Sequence, residues 1–424
     1  MKTLGNLSLF FLALQLWASC ADTHFIETDL NVPIYMDFET MRSAFATSTA
    51  RELKNPGKIC FKDNLLFIVE VDEGIHVIDV SDPTAPRNLS FLSVGGCKDI
   101  AIRNQSLYAG NYVDVAILDI SDLSNVTESG RIKDVLSYNL PPLKDPSLGC
   151  EYDLRKGLIV GWEVKRVKRK TQSSSYPEGD WNNLSPSPPA ASPGGNLGGG
   201  GGSIGQTGSM ARFGLYDHYL YLMIDNSLLI CDVEASTVGI TDKVYINYFE
   251  TMFIHDDHIF FGAPNGMFVY SLEFPTKPAL ISSYSHVRSC DPVVVQDHYA
   301  YITMRGGSAC GGSANQLDIV KLSDDYRETE LVSSYLMEEP YGLGVDGNTL
   351  FVCDGPGGLK VYDLADKNKL KENQLAKFPS IQAYDVIPTG NYLFMIGQDG
   401  FYLYDYSDPK DIKRLSHIPV NKGT

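Results

Sequence analysis

Three observations predict an all-β ring of radial sheets, a β-propeller. One hairpin recurs eight times, a strand closing in an acidic turn follows seven of the copies, and no helix of three turns interrupts them. The hairpins are GKICFKDNLLFIVE from Gly57, KDIAIRNQSLYAGN from Lys98, CEYDLRKGLIVGWE from Cys150 and ARFGLYDHYLYLMI from Ala211. They continue with TMFIHDDHIFFGAP from Thr251, DPVVVQDHYAYITM from Asp291, YGLGVDGNTLFVCD from Tyr341 and YDVIPTGNYLFMIG from Tyr384. Where no insertion intervenes the starts lie about 40 residues apart, the spacing of propeller blades.

Each element has a local reason. Val, Ile and Tyr at alternating positions suit a pleated strand. The third strand closes in segments such as GIHVIDVSDPTAP (Gly74 to Pro86), VAILDISDL (Val115 to Leu123), GLKVYDLAD (Gly358 to Asp366) and GFYLYDYSDP (Gly400 to Pro409). There Asp and Ser bond back to the turn backbone and Pro presets φ. A fourth strand follows, as in NLSFLSV from Asn88 or LVSSYLM from Leu331. One such sheet cannot hide both faces from water, whereas a closed ring of them can. The expectation is eight repeats, seven complete four-stranded blades plus one irregular, with a seven-bladed ring as the alternative. SAFATSTAREL (Ser43 to Leu53) is expected to add an outer strand that seals the ring.

The copy from Cys150 is the irregular one. It runs on as VKRVKRKTQ, lacks the third strand, and leads into SPSPPAASP and the glycines Gly198 to Gly202. That composition buries too little apolar surface to offset its ordering entropy. The chain is therefore divided into a signal segment 1–19, a tether 20–42 and one propeller domain 43–424 with a flexible insertion 171–210.

HVIDVSDP (His76 to Pro83), ILDISD (Ile117 to Asp122) and, more loosely, YLYDYSDP (Tyr402 to Pro409) resemble the strand motif of the LVIVD-repeat family. PGKICFKDNLLFI, RSCDPVVV and YGLGVDGNTLFVCD extend the likeness to Bacteroidota lipoproteins that carry these repeats. The resemblance implies a β-propeller at the outer membrane and no known reaction.

The N-terminus reads as an address. Lys2 precedes an apolar run from Leu4 to Trp17, too short to span a bilayer. Ala18 and Ser19 then precede Cys20, which is expected to be acylated; the alternative reading is ordinary cleavage after Ala21, with Ser19 and Ala21 as the small residues before the cut. A net charge of −17 with a pI near 4.9 argues against nucleic acid as a partner.

In a propeller the lead-in to each inner strand and the loop after each second strand share one face. Lys98, Asp99, Glu151, Arg212, Arg288, Asp291, Tyr341, Tyr384 and Asp385 are thereby expected to ring one mouth of the central channel as a ligand face. Cys290 and Cys310 fall on that face and are expected to form a disulfide worth about 3 kcal/mol. Cys97 and Cys150 form a weaker candidate pair, and Cys60, Cys231 and Cys353 are read as buried small hydrophobes. His255, Asp256, Asp257 and His258 look like metal ligands in isolation. They occupy the same turn as Asp217-His218, Asp297-His298 and Asp63-Asn64, so turn chemistry accounts for them. Lys165, Arg166, Lys168, Arg169 and Lys170 are read either as a solvated strand end or as a contact for lipopolysaccharide phosphates or an acidic partner.

No glycine-rich loop of the phosphate-binding type follows a strand and opens a helix, no HExxH occurs, and no cofactor or metal is expected. The leading expectation is a non-catalytic envelope protein that binds a protein or a glycan, attached to the membrane only through lipid. The rivals are a glycan lyase or hydrolase with carboxylates at the channel mouth, and an accessory subunit of an outer-membrane secretion or assembly complex.

Overall fold

The computed structural model describes residues 25–170, 203–209, 211–289, 292–307 and 312–421. These residues fall into two units, each described by itself.

The larger unit is a ring of seven four-stranded blades. Blade 1 consists of Pro56–Lys62, Leu65–Glu70, Gly74–Asp79 and Arg87–Ser93, each antiparallel to the strand before it. Blades 2 to 7 repeat this order over residues 100–132, 213–245, 251–285, 293–336, 343–378 and 383–419. The seven innermost strands touch in cyclic order, and the last returns to the first.

Local chemistry sets the blade. The turn between the first two strands places Asp63, Asn64, Asn104, Asp217, Asp256, Asp297 and His298 at positive φ. Short polar side chains tolerate that conformation, and it matches the twist of a two-residue hairpin. The acidic turn after the third strand works as read from the sequence. Asp79 accepts from the N–H and hydroxyl of Ser81, and Asp119, Asp363 and Asp405 each accept from the N–H two residues on. Every outer strand carries one register shift at the equivalent position, from Asn88/Ser90 in blade 1 to Arg414/Ser416 in blade 7. In blades 2 to 7, where this strand is the edge, the bulge spoils it as a template for another chain.

The core lies between blades. Leu66 and Ile68 of blade 1 pack with Ile387, Phe394 and Leu403 of blade 7, all nearly or wholly buried. Burying each such side chain stabilises the fold by about 1.5–3 kcal/mol, and none finds that cover within its own sheet. Among the described residues no blade borrows a strand to close the ring. Closure rests on this interface, on the stacked rings of Phe61 and Phe394 at 4.8 Å, and on a parallel bridge of Leu53 with Val420, where Asn421 N–H donates to the Leu53 carbonyl at 2.7 Å. The outer strand expected within 43–53 is present, because Ala46–Thr49 pairs antiparallel with Arg87–Ser93. Just before it, Asp37 caps a six-residue helix, Phe38–Ser43.

The seven-bladed alternative is therefore the form adopted. The copy from Cys150 makes no blade. Its strand Leu158–Lys170 pairs with Phe25–Met36 in a two-stranded sheet of the smaller unit. In that unit the Asn31 side chain bonds the backbone of Asp145 and Leu148, and Trp162 Nε1 donates to the Pro141 carbonyl at 2.9 Å. Three cations of the basic run have acidic partners within this unit. Arg166 pairs with Asp29 at 3.0 Å, Lys168 with Glu27 at 2.9 Å and Lys165 with Glu163 at 2.6 Å.

Candidate functional site

The inner strands bring four charged residues to the channel. Lys58 sits on the inner strand of blade 1, Asp99 and Arg212 lead into those of blades 2 and 3, and Asp385 lies on that of blade 7. Lys58, 3% exposed, is ion-paired with Asp99. Asp99 also accepts from the N–H of Ile100 at 2.9 Å and of Arg212 at 2.8 Å. Burial lowers the Lys58 pKa, opposed by the charge of Asp99 and, more weakly, of Asp385. Asp385 is fully buried and accepts from the backbone and hydroxyl of Ser209, both at 3.2 Å.

Ser209 belongs to a segment that the sequence assigns to the flexible insertion. Residues 203–209 instead lie along the channel wall. Gln206 and Thr207 pair with Phe61 and Cys60 on the axial edge of blade 1. Gly205 N–H donates to Ile102 of blade 2, the Gln206 amide to Pro388 of blade 7, and Leu343 N–H of blade 6 to the Ser209 hydroxyl. The rest of the insertion expected over 171–210 lies outside the described residues, apart from these seven.

Further out, Tyr341 and Tyr384 come together with ring centroids 5.1 Å apart. The Arg305 guanidinium, from the loop after the second strand of blade 5, stands 3.9 Å over the Tyr341 ring. The Tyr341 hydroxyl bonds Glu339 at 3.3 Å. Burial raises the pKa of both tyrosines, and Arg305 opposes it. An aromatic pair with a guanidinium on one face and a carboxylate at its edge can stack on an apolar or sugar face while hydrogen-bonding its rim.

The expected ligand face is thus divided. Asp99, Arg212 and Asp385 are brought together in the channel, and Tyr341 and Tyr384 at its mouth. Lys98 is a surface group 3.4 Å from Asp72, and Arg288 is exposed. Glu151 lies in the smaller unit and is not part of the ring. Asp291, the Cys290–Cys310 pair and Cys20 lie outside the described residues. Cys97 and Cys150 are both free thiols, so that candidate pair is not formed. Cys60, Cys231 and Cys353 are buried in the core as read, and burial pushes their thiols up. Among the described residues no group of three His, Cys, Asp or Glu is arranged for a metal ion, and His255 to His258 occupy the turn that the repeats share.

Sequence reasoning missed Lys58, Arg305 and Ser209. Lys58 was findable, because a lysine in the apolar inner strand GKICF demands a buried partner. Ser209 was not, because nothing local marks a glycine-rich tail as a channel segment.

This geometry defines a seven-bladed β-propeller. A family model of the LVIVD repeat matches residues 57–91 and 95–134, so the chain carries LVIVD repeats in blades 1 and 2. No curated protein matches the sequence. Among solved structures it is similar to a candidate 6-phosphogluconolactonase from Bacteroides uniformis, with TM-score 0.53, 8% identity, and 87% of this chain and 98% of that one covered. It is also similar to a protein from Lactobacillus plantarum, with TM-score 0.51, 11% identity and coverage of 87% and 98%. The computationally designed Ika8 protein aligns with TM-score 0.50, 10% identity and coverage of 88% and 92%. At such identities the likeness is one of fold.

Proposed function

We propose that this chain is a cell-envelope lipoprotein, anchored through Cys20, that binds a protein or glycan partner at the channel mouth and does not transform it. The observation that carries this reading is the state of the channel carboxylates. Asp99 is consumed by Lys58 and two backbone N–H groups, and Asp385 is buried beneath Ser209. A general acid or base must reach its substrate, and an enzyme site gathers such groups in an open concavity. Tyr341, Tyr384 and Arg305 are only partly buried and offer the stacking surface that recognition uses.

The test is affinity capture from envelope extracts and binding to a panel of envelope glycans, with the full chain in mild detergent. Tyr341→Ala with Tyr384→Ala is expected to abolish capture while leaving the fold intact by circular dichroism. Turnover of any glycan by the wild type, lost in Asp99→Asn or Asp385→Asn, overturns the reading. Metabolic labelling with palmitate, lost in Cys20→Ser, tests the anchor.

A further inference from the structure

Residues 203–209 carry an independent inference that goes beyond the mouth. Their sequence, SIGQTGS, has one large apolar side chain, so the segment is not held as core. It is held as a bound peptide is held. Gln206 and Thr207 add a short antiparallel strand to the axial edge of blade 1, and the remaining contacts run to the inner strands of blades 2, 6 and 7. The fit selects small residues. A Cβ at Gly208 would stand 1.8 Å from Asp385 Oδ2, and one at Gly205 would stand 2.8 Å from Cys60 Sγ and 3.1 Å from Ile102 Cβ. The ring does not need the segment to close, because the seven inner strands already touch in cyclic order.

We propose that the channel is a binding site for an extended peptide strand of small polar residues, and that residues 203–209 fill it as a ligand tethered in cis. Strand addition of this kind takes affinity from main-chain hydrogen bonds and specificity from alternate side chains. Here Asp385 reads the serine and the glycines are read by exclusion. The inner strand of blade 3 starts at Phe213, four positions after Ser209. A tether that short raises the effective concentration to the order of millimolar or more. A strand of the same chemistry from another polypeptide enters only when the cis segment withdraws.

The experiment uses the mature chain and a fluorescent peptide of sequence SIGQTGS. Gly208→Val is expected to expel the cis segment and to bind the peptide on the order of a hundredfold more tightly than the wild type. A peptide carrying valine at its own second glycine should not bind. In the otherwise wild-type chain, Gly205→Cys, oxidised onto Cys60 with oxidised glutathione, should lock the segment in place and abolish peptide binding until the bond is reduced. If Gly208→Val does not fold, Gln206→Ala with Ser209→Ala, which removes side-chain contacts without steric conflict, is read in the same way. A folded variant that fails to bind overturns the proposal, and so does equal binding by variant and wild type. Capture through Tyr341 and Tyr384 is scored with the channel locked, so either reading can fail alone.

Discussion

The hairpins that start at Lys98 and at Cys150 are alike in sequence and part company in structure. In the first, Asp99 is buried against Lys58, Leu107 is wholly buried, and the chain turns back at once into the third strand Asp114–Asp119. In the second, Glu151 holds the position of Asp99 and is exposed, while Ile159 holds that of Leu107 and is buried in the smaller unit. There the strand runs on through Lys165, Arg166 and Lys168. Sandwiching that run between blades would bury several charges, at a penalty of several kcal/mol for each ion. It stays in a two-stranded ribbon where acidic neighbours and water meet the charges. A hairpin becomes a blade only where apolar third and fourth strands follow it.

The comparison can be broken most easily at its first position. Asp99→Ala leaves Lys58 buried without its partner and is expected to cost about 3–5 kcal/mol of ring stability. Glu151→Ala should stay within about 0.5 kcal/mol. Chemical denaturation of both variants checks this, and equal losses would place Glu151 in the ring. Next in size, Leu107→Ala should cost about 2–5 kcal/mol, whereas Ile159→Ala should leave the main transition where it is. Hydrogen exchange sharpens the contrast without mutation. Amides of Ile100–Arg103 and Ser106–Asn111 should exchange only through the slowest openings, and those of residues 163–168 much sooner.

The smallest expected effect is on acid stability. The Ser81 hydroxyl and N–H, together with Arg87, hold Asp79 at about 2 against an ordinary 3.8. Its folded pKa lies below the unfolded one, so its contribution is complete above about pH 4 and is lost as the pH falls toward 2. Melting temperatures between pH 5 and pH 2 should fall, and Asp79→Asn, which keeps an acceptor but does not titrate, should fall less steeply.

The hairpins, the acidic closing turns and the outer strand at 46–49 were legible because each is local. Alternation, turn residues at positive φ and an Asp two residues before its N–H are properties of neighbours in the chain. Asp99, Arg212, Tyr341, Tyr384 and Asp385 were legible as one face because blade topology orders them. Their division into a buried channel set and a mouth pair was not, since it depends on Lys58, Ser209 and Arg305 from other blades.

By itself the sequence determined a repeating four-stranded sheet and left its count between seven and eight, because period and turn chemistry reside in short windows. Only the tertiary structure decided that seven copies close the ring while the one from Cys150 stays out, and that residues 203–209 line its axis. Both outcomes turn on which surfaces meet across more than a hundred residues of chain, where burial of charge and the room for a Cβ are settled by packing.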